Sequence, residues 1–83
     1  MQLVMVKLLA RQEEAVKFQE VLTRHGCDIA LRLGLHEVAD ARCSDQGVII
    51  LQMGPDPGAA DRLVADLKTV GAEKQITIKT VTL

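Results

Sequence analysis

The chain has 83 residues, of which 48% are hydrophobic, and a formal net charge of -1 at pH 7. This length allows one small domain over residues 1–83, and the hydrophobic content excludes a disordered tail. The balanced charge gives no field that would attract nucleic acid or an anionic membrane, and no apolar run reaches the ~18 residues that a membrane span needs. The two cysteines lack CxxC spacing, and the N-terminus MQLVMVKLLA lacks a signal-peptide cleavage site, so we expect a cytoplasmic protein with reduced thiols.

The first two elements are predicted to be a strand and an amphipathic helix. Residues 2–9 are apolar at nearly every position, which indicates a strand that is covered on both faces and is therefore central in its sheet. From Arg11 to His25 the apolar residues recur every three to four positions, which is the period of a helix. Gly26 follows as the expected C-terminal cap.

The next segment, CDIALRLGLH from Cys27 to His36, alternates strictly between two sets of side chains. Strand residues point alternately to opposite faces of a sheet, so this pattern predicts a β-strand. We expect its leucines, Leu31 and Leu33, to lie under the helices. We expect Arg32 and Gly34 on the opposite face.

The rest of the chain completes a recognisable order of elements. Residues 37–46 are polar and predict a long hairpin connection, residues 47–53 a third strand, residues 59–70 a second amphipathic helix with Asp56 as its N-cap, and residues 74–83 a last strand. The order β-α-β-β-α-β predicts an α+β fold, the ferredoxin-like sandwich. We expect a four-stranded antiparallel sheet in the order 4-1-3-2 with both helices on one face.

The face of this sheet that the helices leave uncovered is predicted to be apolar at its centre. Contiguous apolar surface on a small soluble protein usually marks an interface. We therefore expect a homo-oligomer, either a dimer or a dimer of dimers. The alternative is a monomer that tolerates the exposed patch. The predicted interface residues are Leu3, Met5, Ala30, Val48 and Ile50.

Four residues could bind zinc or nickel: His25, Cys27, His36 and Cys43. Cys27 and His36 have opposite parity in one strand and would lie about 30 Å apart, so one chain cannot use both. We predict structural roles for the cysteines and His25 and assign no metal or other cofactor; a site shared between subunits through His36 stays open. No pair of nucleophile and base indicates an enzyme, and the uncovered face lacks the aromatic residues of RNA-binding sheets.

Arg32, Gly34 and His36 are the candidate ligand-binding residues. A guanidinium at a subunit interface needs a carboxylate, which could come from the neighbouring subunit or from an anionic ligand. Gly34 beside it leaves room for a close approach to the backbone. An intersubunit salt bridge and an effector site are therefore two alternative interpretations of Arg32.

The segments ALRLG, GVIILQM and ITIKTVTL resemble a family of regulators assigned to the iron-only hydrogenase system. Its members are ACT-like domains, similar in fold to the C-terminal domain of nickel-responsive regulators. The resemblance covers almost the whole chain, and its main features are the R-x-G step at Arg32 and Gly34 and the I-K-T-V of the last strand. The chain departs from the family at His36, where a proline is usual, and in its longer connection to the third strand.

This resemblance implies an oligomeric, non-enzymatic regulatory or sensor module. A small-molecule effector at a subunit interface and a regulatory protein are the candidate partners, and no binding residue is carried over from the family. Two alternatives stay open: a metal-responsive module for nickel or zinc, and a purely structural oligomerisation or protein-interaction domain. Direct binding to nucleic acid is not expected, because the chain has no room left for a helix-turn-helix.

Overall fold

A computed structural model describes residues 1–8, 11–39, 42–70 and 76–83, with side chains described for residues 1–8, 16–34, 47–70 and 76–83. Its elements are β1 (Gln2–Leu8), α1 (Arg11–Arg24), a 3-10 turn (Gly26–Asp28), β2 (Ile29–Ala39), β3 (Arg42–Met53), α2 (Ala59–Lys68) and β4 (Ile76–Thr82). The strands form one antiparallel sheet in the order β2-β3-β1-β4. The predicted ferredoxin-like α+β fold and its strand order are confirmed.

The core lies between the two helices and one face of the central strands. Alternate residues of β1 are buried, and they face buried residues of β3 across the ladder, as the period of two requires. Phe18 of α1 and Leu63 of α2 are fully buried in the same cluster, so both helices cover one face of the sheet. The buried hydrophobic residues are Val4, Val6, Leu8, Phe18, Val21, Leu22, Leu51, Met53, Ala59, Ala60, Leu63 and Leu67.

The register between β2 and β3 shifts near Ala30, and the shift reverses the predicted faces of β2. Ile29 pairs with Met53, but Leu31 pairs with Gln52 and Arg32 pairs with Leu51. Paired residues of an antiparallel ladder share a face, and a β-bulge changes the parity of every residue that follows it. Ile29 therefore packs against the core as predicted, whereas the predicted faces of the residues after it are wrong.

The reversal affects two pairs of residues. Leu31 and Leu33 lie on the uncovered face of the sheet, where 55% and 48% of their surfaces are exposed. Arg32 and Gly34 lie on the helix side. The physical reason is that the helices pack on the central strands β3 and β1 and leave the helix side of the edge strand β2 open.

The predicted connection over residues 37–46 is mostly strand. β2 continues to Ala39 and β3 begins at Arg42, with Val38 paired to Cys43. The described pairing of β1 with β3 ends at Leu8 and Gly47. Beyond Gly47 the described pairing of β3 is with β2: the register shifts between His36 and Val38, and Val38 and Ala39 then pair with Cys43 and Arg42. We call this part of the hairpin, residues 36–39 and 42–46, the hairpin arm. Polar composition misled the prediction, because a strand that does not bury a face against the domain's own core does not need apolar alternation.

Two smaller predictions also change. Cys27 lies in the 3-10 turn before β2 and not in the strand. α2 begins at Ala59 as predicted, but its N-cap is Gly58 and not Asp56. The Asp56 side chain instead accepts a hydrogen bond of 2.9 Å from the backbone N–H of Gly58, which makes an Asx turn that leads into the helix.

The core predicts a large difference between two substitutions in the same helix. Phe18 is 1% exposed and Val16 is 69% exposed. Phe18→Ala leaves a cavity under α1 and should lower the free energy of unfolding by about 3–5 kcal/mol. Val16→Ala should change it by no more than about 0.5 kcal/mol. Urea unfolding followed by circular dichroism measures both, and equal losses would contradict the described packing of α1.

Candidate functional site

We call the sheet face that the helices leave uncovered the open face. Most of the described side chains on it are apolar. Its central rows run across all four strands: Leu31, Gln52, Leu3 and Val81 in one row, and Leu33, Ile50, Met5 and Lys79 in the next. Val48, Lys7 and Thr77 continue into a third row. The open face is more apolar than predicted, because the bulge adds two leucines to it and removes an arginine.

Four of the five predicted interface residues lie on the open face. The register places Leu3 and Met5 of β1 opposite Gln52 and Ile50 of β3, on the face away from the helices. Val48 shares that face. Ala30 is exposed and lies at the register shift.

Arg32 lies on the other side of the sheet, beside α1. Its guanidinium donates a hydrogen bond to the side-chain Oε1 of Gln19. An open groove of about 360 Å³ runs between the end of α1 and the start of β2, and Arg32 lines it together with Thr23 and Ala30. Arg32 makes no ion pair with any described side chain.

Gly34 continues the helix side of β2 after Arg32. A Cβ atom added at Gly34 would meet no heavy atom within 4 Å, so packing within the chain does not require a glycine there. His36 pairs with Gly47 at the start of the hairpin arm, and its side chain lies outside the described part of the chain. All three candidate ligand residues therefore lie on the edge strand β2, and among them only Arg32 has a described side-chain contact.

His25, one of the metal candidates, joins the two helices. Its Nε2 atom lies 2.6 Å from Oδ2 of Asp66, and 13% of the His25 side chain is exposed. Its backbone N–H donates to the carbonyl of Val21 at the end of α1. The hydrogen bond from His25 lowers the pKa of Asp66, with Arg24 adding a weaker attraction. The predicted structural role of His25 is consistent with this contact.

Sequence reasoning missed a cluster of charged side chains at the start of α2. Arg62 reaches Asp56 at 2.5 Å and Asp28 at 3.9 Å. The N–H of Gly58, and then Arg62, lower the pKa of Asp56. The D-P-G sequence indicates the Asx turn at Asp56. Nothing local indicates Asp28, which is brought close by the hydrogen bond from Gly54 N–H to its carbonyl.

The described side chains give no support to a metal site within one chain. Within them, no group of three histidine, cysteine or acidic residues could hold a metal ion. Cys27 is exposed, and the side chain of Cys43 is outside the described part. Neither described helix is long and apolar enough to cross a membrane.

Comparison with solved structures identifies the same architecture in other proteins. An uncharacterized protein from Thermotoga maritima, TM1266, is 21% identical with a TM-score of 0.74, over 96% of this chain and 91% of that one. The fold is ferredoxin-like. The divalent ion tolerance protein CutA1 from Ehrlichia chaffeensis is 12% identical with a TM-score of 0.65, over 99% of this chain and 80% of that one.

A further match is the periplasmic divalent cation tolerance protein CutA from Archaeoglobus fulgidus, 8% identical with a TM-score of 0.54, over 100% of this chain and 84% of that one. No protein-family model matches the chain, and no curated protein matches it in sequence. At these identities the comparisons show the fold alone.

The contact between His25 and Asp66 predicts a pH-dependent stability. Because the folded-state pKa of Asp66 is lowered, its contribution is fully present above the unfolded value of about 3.9 and is lost as pH falls through the folded pKa. Asp66→Asn should therefore reduce the loss of stability between about pH 5 and pH 2.

Asp61→Asn is the matched control, since Asp61 is an exposed carboxylate on the same helix and forms no ion pair with a described side chain. Urea unfolding over this pH range measures both variants. The two variants showing the same pH profile would contradict the role of the contact.

Proposed function

We propose that the chain is a non-enzymatic regulatory module that acts as a homo-oligomer, with its copies packed through the open face. The observation that supports this is the exchange of the two faces of β2 after the register shift: its leucines lie on the open face and Arg32 lies on the helix side. Without the bulge, Leu31 and Leu33 would lie on the helix side of the sheet and Arg32 would lie on the open face. The bulge instead turns both leucines outward, at 55% and 48% exposure, onto a face that is already apolar. Contiguous exposed apolar surface on a small soluble protein usually marks an interface.

A second copy of the chain is the cover that suits this face best. An interface with a two-fold axis buries the same patch on both partners, so one apolar patch is enough. The described residues of the open face on β2 and β3 carry no charge, which argues against a strongly basic or strongly acidic partner surface over these two strands. The proposal takes residues 1–83 as one ACT-like domain in the cytoplasm.

The finer assignments rest on sequence resemblance. Control of an iron-only hydrogenase system is proposed from the segments around Arg32 and in β4 alone. A small anionic effector, if the module binds one, would meet Arg32, Gly34 and His36 along β2. The position of Arg32 moves this proposed site from the open face to the groove beside α1. A regulatory protein partner is the other route by which the module could act.

A metal-responsive module is the second candidate. It is favoured by the shared fold with two proteins named for divalent ion or divalent cation tolerance. Metal analysis of the purified chain and of His36→Ala tests it. Stoichiometric nickel or zinc that is lost in the variant would support it, and metal-free protein would refute it.

The first prediction from this proposal concerns subunit number. Native mass spectrometry and sedimentation equilibrium should show an even-numbered oligomer of the 9.0 kDa chain. Leu31→Lys should give monomers, because it places a charge in the apolar interface. Val16→Lys is the matched control, since Val16 is 69% exposed but lies on α1. A wild-type chain that stays monomeric at every concentration would refute the proposal.

The second prediction concerns Arg32. Arg32→Ala should leave the oligomer intact, because the guanidinium is on the side of the sheet away from the open face. If the chain carries an anionic effector, native mass spectrometry should show its added mass on the wild type and not on Arg32→Ala. Dissociation of the oligomer by this variant would instead restore the intersubunit salt bridge as the role of Arg32.

A further inference from the structure

The two charged side chains among the described residues of the open face lie together at one corner. Lys7 pairs with Thr77, and Lys79 pairs with Met5, so both lysines are on the β1–β4 side of the face. Both are exposed, and the described residues of the open face include no carboxylate. Burying two ammonium groups without an acidic partner is costly, so this corner is unsuited to the centre of an interface between two copies.

The opposite half of the open face has no charge among its described residues. Leu31 and Leu33 of β2 face Gln52 and Ile50 of β3, and Val48 follows along β3. These side chains are half-buried or exposed within the chain. An interface centred here would have an apolar centre and would leave the lysines at its rim, which is the usual arrangement of a stable interface.

The size of the face limits how such an interface can be built. Four strands at roughly 4.8 Å spacing and seven residues at roughly 3.3 Å give a face of about 19 by 23 Å, or about 440 Å². A standard stable interface buries about 800 Å² of accessible surface per partner, a measure that follows the relief of the side chains and somewhat exceeds the flat area of the same face. An interface that leaves out the lysine corner is smaller still, so it needs surface from beyond the four-stranded part of the sheet.

The hairpin arm can supply that surface, because it extends from the β2–β3 half of the sheet. It continues β2 and β3, the two strands of the uncharged half, and its described pairs, Val38 with Cys43 and Ala39 with Arg42, join these two strands without a described pairing to β1. A two-stranded ribbon by itself is marginally stable in water. An arm of roughly four to five residues per strand extends about 15 Å, far enough to lie against a second copy seated on this half.

We propose that a second copy of the chain packs over the β2–β3 half of the open face, with the hairpin arm inside the interface and Lys7 and Lys79 at its rim. This inference rests on the proposed self-association and specifies which part of the face carries it. It predicts different effects for the two halves of the open face: a charge introduced on β2 breaks the assembly, and the same charge introduced on β4 does not.

Two substitutions to the same residue test the position of the interface. Leu33→Glu should weaken the dissociation constant of the oligomer by about 30-fold or more, as expected for a residue at the centre of an interface. Thr77→Glu, at the lysine corner opposite Lys7, should change the constant by less than about threefold. Sedimentation equilibrium measures both constants, and circular dichroism verifies that both variants are folded. Equal weakening by the two variants would overturn the inference.

A shortened hairpin tests the arm. Replacing residues 38–45 by Asn-Gly closes the ribbon with a two-residue turn and keeps the pairing of His36 with Gly47. This variant should keep its fold and lose affinity for its own copy by about tenfold or more. An unchanged dissociation constant would overturn the role of the arm. A wild-type monomer would refute self-association itself, whereas an oligomer that resists Leu33→Glu would refute only this placement.

Discussion

The β-bulge at Ala30 is the constraint on which the rest of this structure depends. In a strand, each residue added or removed moves all later side chains to the other face. One such shift between Ile29 and Leu31 leaves Ile29 against the core and turns two leucines to the open face. Two properties of the molecule follow from it. The Arg32 guanidinium lies beside α1, and the open face gains Leu31 and Leu33.

This arrangement bears on function, because it puts Arg32 and the apolar open face on opposite sides of the sheet, whereas strict alternation along β2 predicted them on the same side. Among its described residues, the open face is uncharged on β2 and β3 and carries charges at Lys7 and Lys79. Arg32, with its hydrogen bond to Gln19, becomes part of a groove on the opposite side. The proposed self-association and the proposed recognition of an anion would therefore use different faces of the sheet.

Two polar contacts hold the layers in position around this sheet. His25 and Asp66 connect the end of α1 to α2, and Arg62 connects Asp56 and Asp28 at the start of α2. The contacts of His25 with Asp66 and of Arg62 with Asp28 join segments that are far apart in the chain, whereas Arg62 and Asp56 are only six residues apart. A small domain buries a limited apolar area, so such contacts help to define how its helices lie on the sheet.

The amino-acid sequence by itself determined the class and order of the elements. The periods of two and of about 3.6 residues, with glycines and prolines between the segments, predicted the ferredoxin-like order and its strand arrangement, because these patterns reflect local backbone geometry. The central strands were also assigned to the correct faces, since both Val4 and Leu51 are in the core. Only the tertiary structure decided the face of Arg32, the length of the hairpin arm and the partners of His25 and Arg62. A bulge and a long-range contact depend on which surface the helices cover, and no local pattern in the chain contains that information.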